Sequence, residues 1–112
     1  MDEKTVQAAM SIILNAGDAR VACKEALDAI AAFDFEKANE KIKESQKKIT
    51  EAHIVQTDAI QGETRGEKSE YSLLFAHAQD TLMTIYSEIN IAKQMIKIFE
   101  SYEKRIAELE NK

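Results

Sequence analysis

Two histidines, one cysteine and a set of carboxylates are the groups in this chain that could attack an electrophile, bind a metal or move a proton. His77 stands in the run Leu73-Leu74-Phe75-Ala76-His77-Ala78-Gln79-Asp80-Thr81-Leu82-Met83. A helix returns to one face after three or four residues, so His77 and Asp80 lie together, beside the apolar positions of the run. A histidine there is either a packed, hydrogen-bonded residue or a nucleophile. Metal templates fit poorly. A di-iron bundle needs Glu-x-x-His on two helices, and the residues three before His77 and His53 are Leu74 and Thr50. No His-Glu-x-x-His string is present, and neither Gly62 nor Gly66 is followed by the Lys-Ser/Thr of a phosphate-binding loop. Cys23 stands alone, so it forms no internal disulfide and no thiolate zinc site; it reads as a core residue. His53 reads as a structural or supporting residue.

The elements that must position these groups are helices. Proline is absent, glycine occurs three times and alanine sixteen times, a composition for helices with few turns. Apolar residues recur at three-four spacing in three stretches. The first is Ala9, Ile12, Ala16, Ala19, Cys23, Ala26, Ile30 and Phe33. The second is Phe35, Ala38, Ile42, Ser45, Ile49, Ala52, Gln56 and Ala59. The third is Ala78, Leu82, Ile85, Ile89, Ala92, Ile96, Phe99 and Ile106. Such repeats form the seams of long helices packed nearly parallel or antiparallel. The spacing predicts helices over 3–32, 34–61 and 69–110. Asp34 should cap the second and Ser69 the third. The polar stretch 61–70 should be a mobile loop. The expected fold is all-α, an antiparallel up-down-up three-helix bundle forming one domain over residues 1–112.

Two features go beyond a simple bundle. Gly17 lies inside the first helix, where glycine costs about 1 kcal/mol relative to alanine, and close backbone approach is the usual compensation. The third helix carries a second apolar stripe, Ile91, Met95, Ile98 and Tyr102. A helix apolar on two sides must bury both, which predicts a homo-oligomer with this helix near its axis. Copies of Asp80 would then meet and repel unless a cation sits between them.

Fifteen Lys+Arg against twenty Asp+Glu give a net charge of -5, which disfavours a nucleic-acid binder. No apolar run approaches the ~18 residues of a membrane span. Met1-Asp2-Glu3-Lys4 lacks the basic-then-apolar order of a signal peptide. With a single cysteine, the expected compartment is the reducing cytoplasm.

Several segments together resemble the lactose/cellobiose class of enzyme IIA of the bacterial phosphoenolpyruvate-dependent sugar phosphotransferase system. His77-Ala78-Gln79-Asp80-Thr81-Leu82-Met83 looks like its active-site signature. Asn15-Ala16-Gly17-Asp18-Ala19-Arg20, Asp34-Phe35, Glu51-Ala52-His53 with Gln56-Thr57, and Tyr71-Ser72 match in order, and the resemblance spans roughly residues 5–105. It implies a cytoplasmic homotrimer of three-helix bundles acting as a phosphotransferase component in sugar transport. His77 would be the phosphohistidine intermediate, charged by the histidine phosphocarrier protein and discharged to a cysteine of enzyme IIB. Asp80 from three subunits would hold one magnesium ion. The transported sugar would be a β-linked disaccharide, with lactose, cellobiose and chitobiose all open and the look of 51–57 leaning to cellobiose or chitobiose. Gln79 and Gln56 are candidate donors to the phosphoryl oxygens, and the 61–70 loop could reach over His77. Relatives commonly carry a second histidine directly after the aspartate; here that residue is Thr81, which could still donate a hydrogen bond. Two rivals remain: a helical interaction module without chemistry, and a two-component histidine phosphotransfer domain. The latter usually has four helices and a His-x-x-Lys-Gly string, in place of which this chain has His77-Ala78-Gln79-Asp80.

Overall fold

The structure is a computed structural model that describes residues 3–66 and 71–112. It contains three helices: α1 (Glu3–Ala31), α2 (Phe35–Thr64) and α3 (Leu73–Glu110). They pack lengthwise into a body 67 × 21 × 18 Å. α1 and α2 are antiparallel neighbours, and α3 returns parallel to α1.

The expected seams form the core. Ala9, Ile12, Ala16, Ala19, Cys23, Ala26 and Ile30 of α1 meet Ala38, Ile42, Ile49 and Ala52 of α2 and Ala78, Leu82, Ile85, Ile89, Ala92 and Ile96 of α3. Small residues on α1 let its backbone approach α2. Ser45, fully buried, donates its hydroxyl to the Ala19 carbonyl across the interface at 2.6 Å. Lys41 bridges to Glu25 at 2.8 Å on the same boundary and to Glu44 of its own helix at 3.3 Å, and these two bonds raise its ammonium pKa, Glu25 first and Glu44 second. Across the α1–α3 groove, Arg20 Nε pairs with Glu88 at 3.3 Å. The pair is exposed and marks which levels of α1 and α3 lie side by side; the buried seam holds them there.

The α1–α2 turn is tighter than a free loop. The Asp34 amide donates to the Ala29 carbonyl and the Phe33 amide to the Ile30 carbonyl, both at 2.9 Å. This is the Schellman closure of a helix end, which needs a left-handed residue after the last turn. Phe33 takes that position with φ 58°. The left-handed backbone turns its side chain off the seam, so Phe33 is exposed rather than in the core, its ring edge-on to Phe35. Asp34 then caps α2 as expected, accepting from the Lys37 amide at 3.1 Å.

Three further expectations are corrected. α2 runs on to Thr64 instead of ending at 61, because Gly62 lies on its buried face and continues the packing. α3 starts at Leu73, and its cap is Ser72, whose hydroxyl accepts from the Phe75 amide at 3.1 Å. Ser69 and the centre of the expected 61–70 loop lie outside the described residues, while Gln61–Thr64 are helical and Arg65 and Gly66 form a turn. Phe99 and Ile106 are exposed. By the Arg20–Glu88 level, α1 ends beside Phe99, so no described helix faces the last three turns of α3. Every residue from Lys97 onward is exposed.

Candidate functional site

The first turns of α3 carry the site. Ser72 fixes where the helix starts, and burial of Ala78 and Leu82 fixes its rotation. With about 100° per residue, that rotation puts His77, Asp80, Thr81 and Thr84 on one outward flank. His77 and Asp80 are both exposed. The threonine hydroxyls bond back along the helix: Thr81 to the His77 carbonyl at 2.9 Å and Thr84 to the Asp80 carbonyl at 2.8 Å. Helix threonines commonly do this. In this arrangement the Thr81 hydroxyl donates to the backbone of its own helix. The Asp80 carboxylate has no cationic partner among the described residues.

Other candidates fall elsewhere. Gln79, two residues past His77, lies on the far side of α3. It lines a cleft of about 300 Å³ at the bundle end with Thr5, Ile60, Glu63, Tyr71 and Phe75. Gln56 is buried on the core face of α2. Neither reaches His77 within one chain. His53 is exposed, 3.4 Å from the Thr57 hydroxyl, its ring 6.5 Å from that of Tyr86. Tyr86 is nine residues beyond His77, on the opposite side of α3, so His53 lies against α2–α3 packing and is not a neighbour of His77. Cys23 is buried as expected, and burial foremost, with Glu88 adding and Arg20 opposing, raises its thiol pKa. No group of three or more His, Cys, Asp or Glu side chains suited to a metal occurs among the described residues, so one chain supplies a single carboxylate at this place. No described helix is long and apolar enough to cross a membrane.

The sequence alone places Asp80 on the histidine side of α3, close to the second stripe, and the heptad positions extend this. His77, Thr84, Ile91 and Ile98 share one heptad position, and Thr81, Glu88, Met95 and Tyr102 another. The site and the second apolar stripe are therefore a single continuous face.

A helical bundle that presents a solvent-facing histidine beside a carboxylate is the form of a phosphoryl carrier. The profile of the lactose/cellobiose-specific IIA subunit of the phosphotransferase system (PTS) matches residues 7–100. The lactose-specific EIIA component of Lacticaseibacillus casei is 42% identical over 110 residues, covering 98% of this chain and 95% of its own length. The lichenan-specific IIA component of Bacillus subtilis is 37% identical over 100 residues, covering 89% and 91%. Among solved structures, the cellobiose-specific enzyme IIA of Bacillus anthracis superposes with a TM-score of 0.87 at 36% identity, over 93% of this chain and 95% of that one. The chitobiose IIA of Escherichia coli, solved in complex with HPr, superposes with a TM-score of 0.77 at 31% identity, over 92% and 99%. The chain belongs to the lactose/cellobiose-specific IIA family and is a phosphotransferase component of the PTS. Membership sets aside both the chemistry-free interaction module and the two-component phosphotransfer domain.

Proposed function

We propose that His77 is the residue that carries the phosphoryl group. The observation behind this is its exposure on a packed helix. The ring is free to meet a partner while Ala78 and Leu82 beside it lock the backbone. A phosphohistidine on the histidine phosphocarrier protein, HPr, is the donor, in keeping with the HPr complex of the chitobiose relative. One ring nitrogen of neutral His77 attacks phosphorus in line. A new P–N bond forms as the donor's P–N bond breaks, and the donor imidazole leaves with the electron pair. In the second transfer a cysteine thiolate of enzyme IIB attacks and His77 is the leaving group. Both steps ask the chain mainly for positioning. The phosphoryl group then goes to a β-linked disaccharide in the membrane component, with cellobiose or chitobiose preferred over lactose. The setting is the cytoplasm.

The working unit in this reading is a homotrimer with α3 about the axis. Asp80 fits magnesium there. It is an exposed carboxylate without a cationic partner, on the same face as the apolar stripe, and three copies supply the hard oxygen ligands that magnesium prefers, with waters completing its shell. The ion would neutralise the three charges and so relieve their repulsion. Gln79, on the opposite flank of α3 from its own His77, would support a phosphoryl group only when that group belongs to a neighbouring copy.

The test is an intact-mass spectrum after incubation with phosphoenolpyruvate, enzyme I and HPr. One acid-labile phosphoryl group is expected on wild type. None is expected on His77→Ala, whose helicity should match wild type because the side chain is outside the core. A phosphorylated His77→Ala protein would refute the assignment.

A further inference from the structure

Opposite charges bridge two grooves of the bundle, Lys41 to Glu25 between α2 and α1 and Arg20 to Glu88 between α1 and α3. The groove between α2 and α3 is different. The rings of His53 and Tyr86, 6.5 Å apart, mark where these antiparallel helices lie level. Each step back along α2 from His53 therefore matches a step forward along α3 from Tyr86. At helical spacing of three and four, Thr50, Gln46 and Lys43 lead back from His53, and Asn90, Lys93 and Lys97 lead on from Tyr86. Gln46 is level with Lys93, and Lys43 lies beside Lys97.

Neither strip holds a carboxylate. The three lysines are exposed, and none has an ion-pair partner among the described residues. On a chain of net charge -5, three cations thus gather on one groove, where like charges repel. The next carboxylates along the strips are Glu36, two turns before Lys43, and Glu100, one turn beyond Lys97. The cluster is not the transfer site. Lys93 and Lys97 stand roughly 24–30 Å beyond His77 along α3, on its other flank.

The charge asks for an anionic occupant, and the surroundings ask for a narrow one. The outer strip of α2 beside the groove carries Glu40, Glu44 and Asp58, all exposed. A flat anionic membrane laid on the lysines would press against these carboxylates. A single polypeptide segment lying in the groove reaches the lysines and misses them. We propose that the α2–α3 groove docks a carboxylate-rich segment of a partner protein on Lys43, Lys93 and Lys97, apart from the phosphoryl-transfer site.

The probe is a hexaglutamate peptide, titrated at low salt into the isotope-labelled protein and followed by amide chemical shifts. Shifts should centre on Lys43, Gln46, Lys93 and Lys97, and should fade above about 0.1 M salt, where the Debye length is about 10 Å. A variant combining Lys43→Gln, Lys93→Gln and Lys97→Gln should bind the peptide about tenfold more weakly, the scale of a few exposed ion pairs. Its phosphorylation from HPr should stay at the wild-type level. A control combining Lys24→Gln, Lys37→Gln and Lys48→Gln, equal in net charge, should bind as wild type does. No shift, or equal weakening in both variants, would overturn the proposal. So would shifts centred on His77 or loss of transfer from HPr. Binding to phosphatidylglycerol vesicles through these lysines would overturn it in favour of a membrane surface. Weaker self-association of the first variant, in sedimentation equilibrium, would overturn it in favour of a second copy of this chain.

Discussion

Replacing Ser45 with leucine tests how closely α1 and α2 approach. Ser45 is fully buried, and its hydroxyl oxygen lies 2.6 Å from the Ala19 carbonyl of the facing helix. Ser45→Ala removes that hydrogen bond, a net loss of about 1 kcal/mol. The Ala19 carbonyl keeps its own helical amide, and alanine's better helix propensity returns roughly 0.5 kcal/mol. The variant should be about 0.5 kcal/mol less stable, or some 2 °C lower in Tm, taking about 4 °C per kcal/mol for a domain of this size. Ser45→Leu loses the same bond and forces extra heavy atoms into a filled contact, at about 1–3 kcal/mol. Its Tm should fall by roughly 8–16 °C. Thermal unfolding followed by circular dichroism at one fixed protein concentration gives the answer, because association adds to apparent stability. A Ser45→Leu protein as stable as wild type would show that the two backbones have room between them, and the account of the small-residue seam would fail.

Cys23 should resist aqueous thiol reagents in the folded protein and react at the rate of unfolding, as measured by a chromogenic disulfide at pH 8; immediate reaction would contradict its burial. Because folding raises the pKa of this thiol, an unfolded chain ionises it first. Its contribution to stability is therefore complete below the ordinary value of 9.0 and is lost as pH rises through the higher folded value, which denaturant titrations across alkaline pH will read. In the proposed trimer, Asp80→Leu would remove three like charges from the axis; assembly should be preserved or tightened and should lose any dependence on magnesium. Stable monomers from that variant, in sedimentation, would contradict an axial ion.

The helical period alone determined most of the core. A repeat of three and four residues can be buried in only one way on a helix, so Ala9 through Ile30, Ala38 through Gln56 and Ala78 through Ile96 were legible without coordinates. The pairing of His77 with Asp80 was legible for the same reason, as was Asp34, whose side chain acts on an amide three residues away. Features that depend on where other elements end were not. Phe99 and Ile106 keep the seam's spacing, but α1 stops at the level of Phe99 and none of the described residues covers either. Phe33 also keeps the spacing, yet a left-handed backbone turns it out. Gly62 looks like a break, while its place on the buried face of α2 carries the helix on to Thr64. The wider site depends on rotation as well as spacing. Gln79 is two residues from His77 in sequence and on the other side of α3 in space, Gln56 is turned into the core, and Thr81 gives its proton to its own backbone. Gly17 combines both kinds of information: the sequence marks a residue that weakens its helix, and only the packed chain shows that a side chain there would meet none of the described residues.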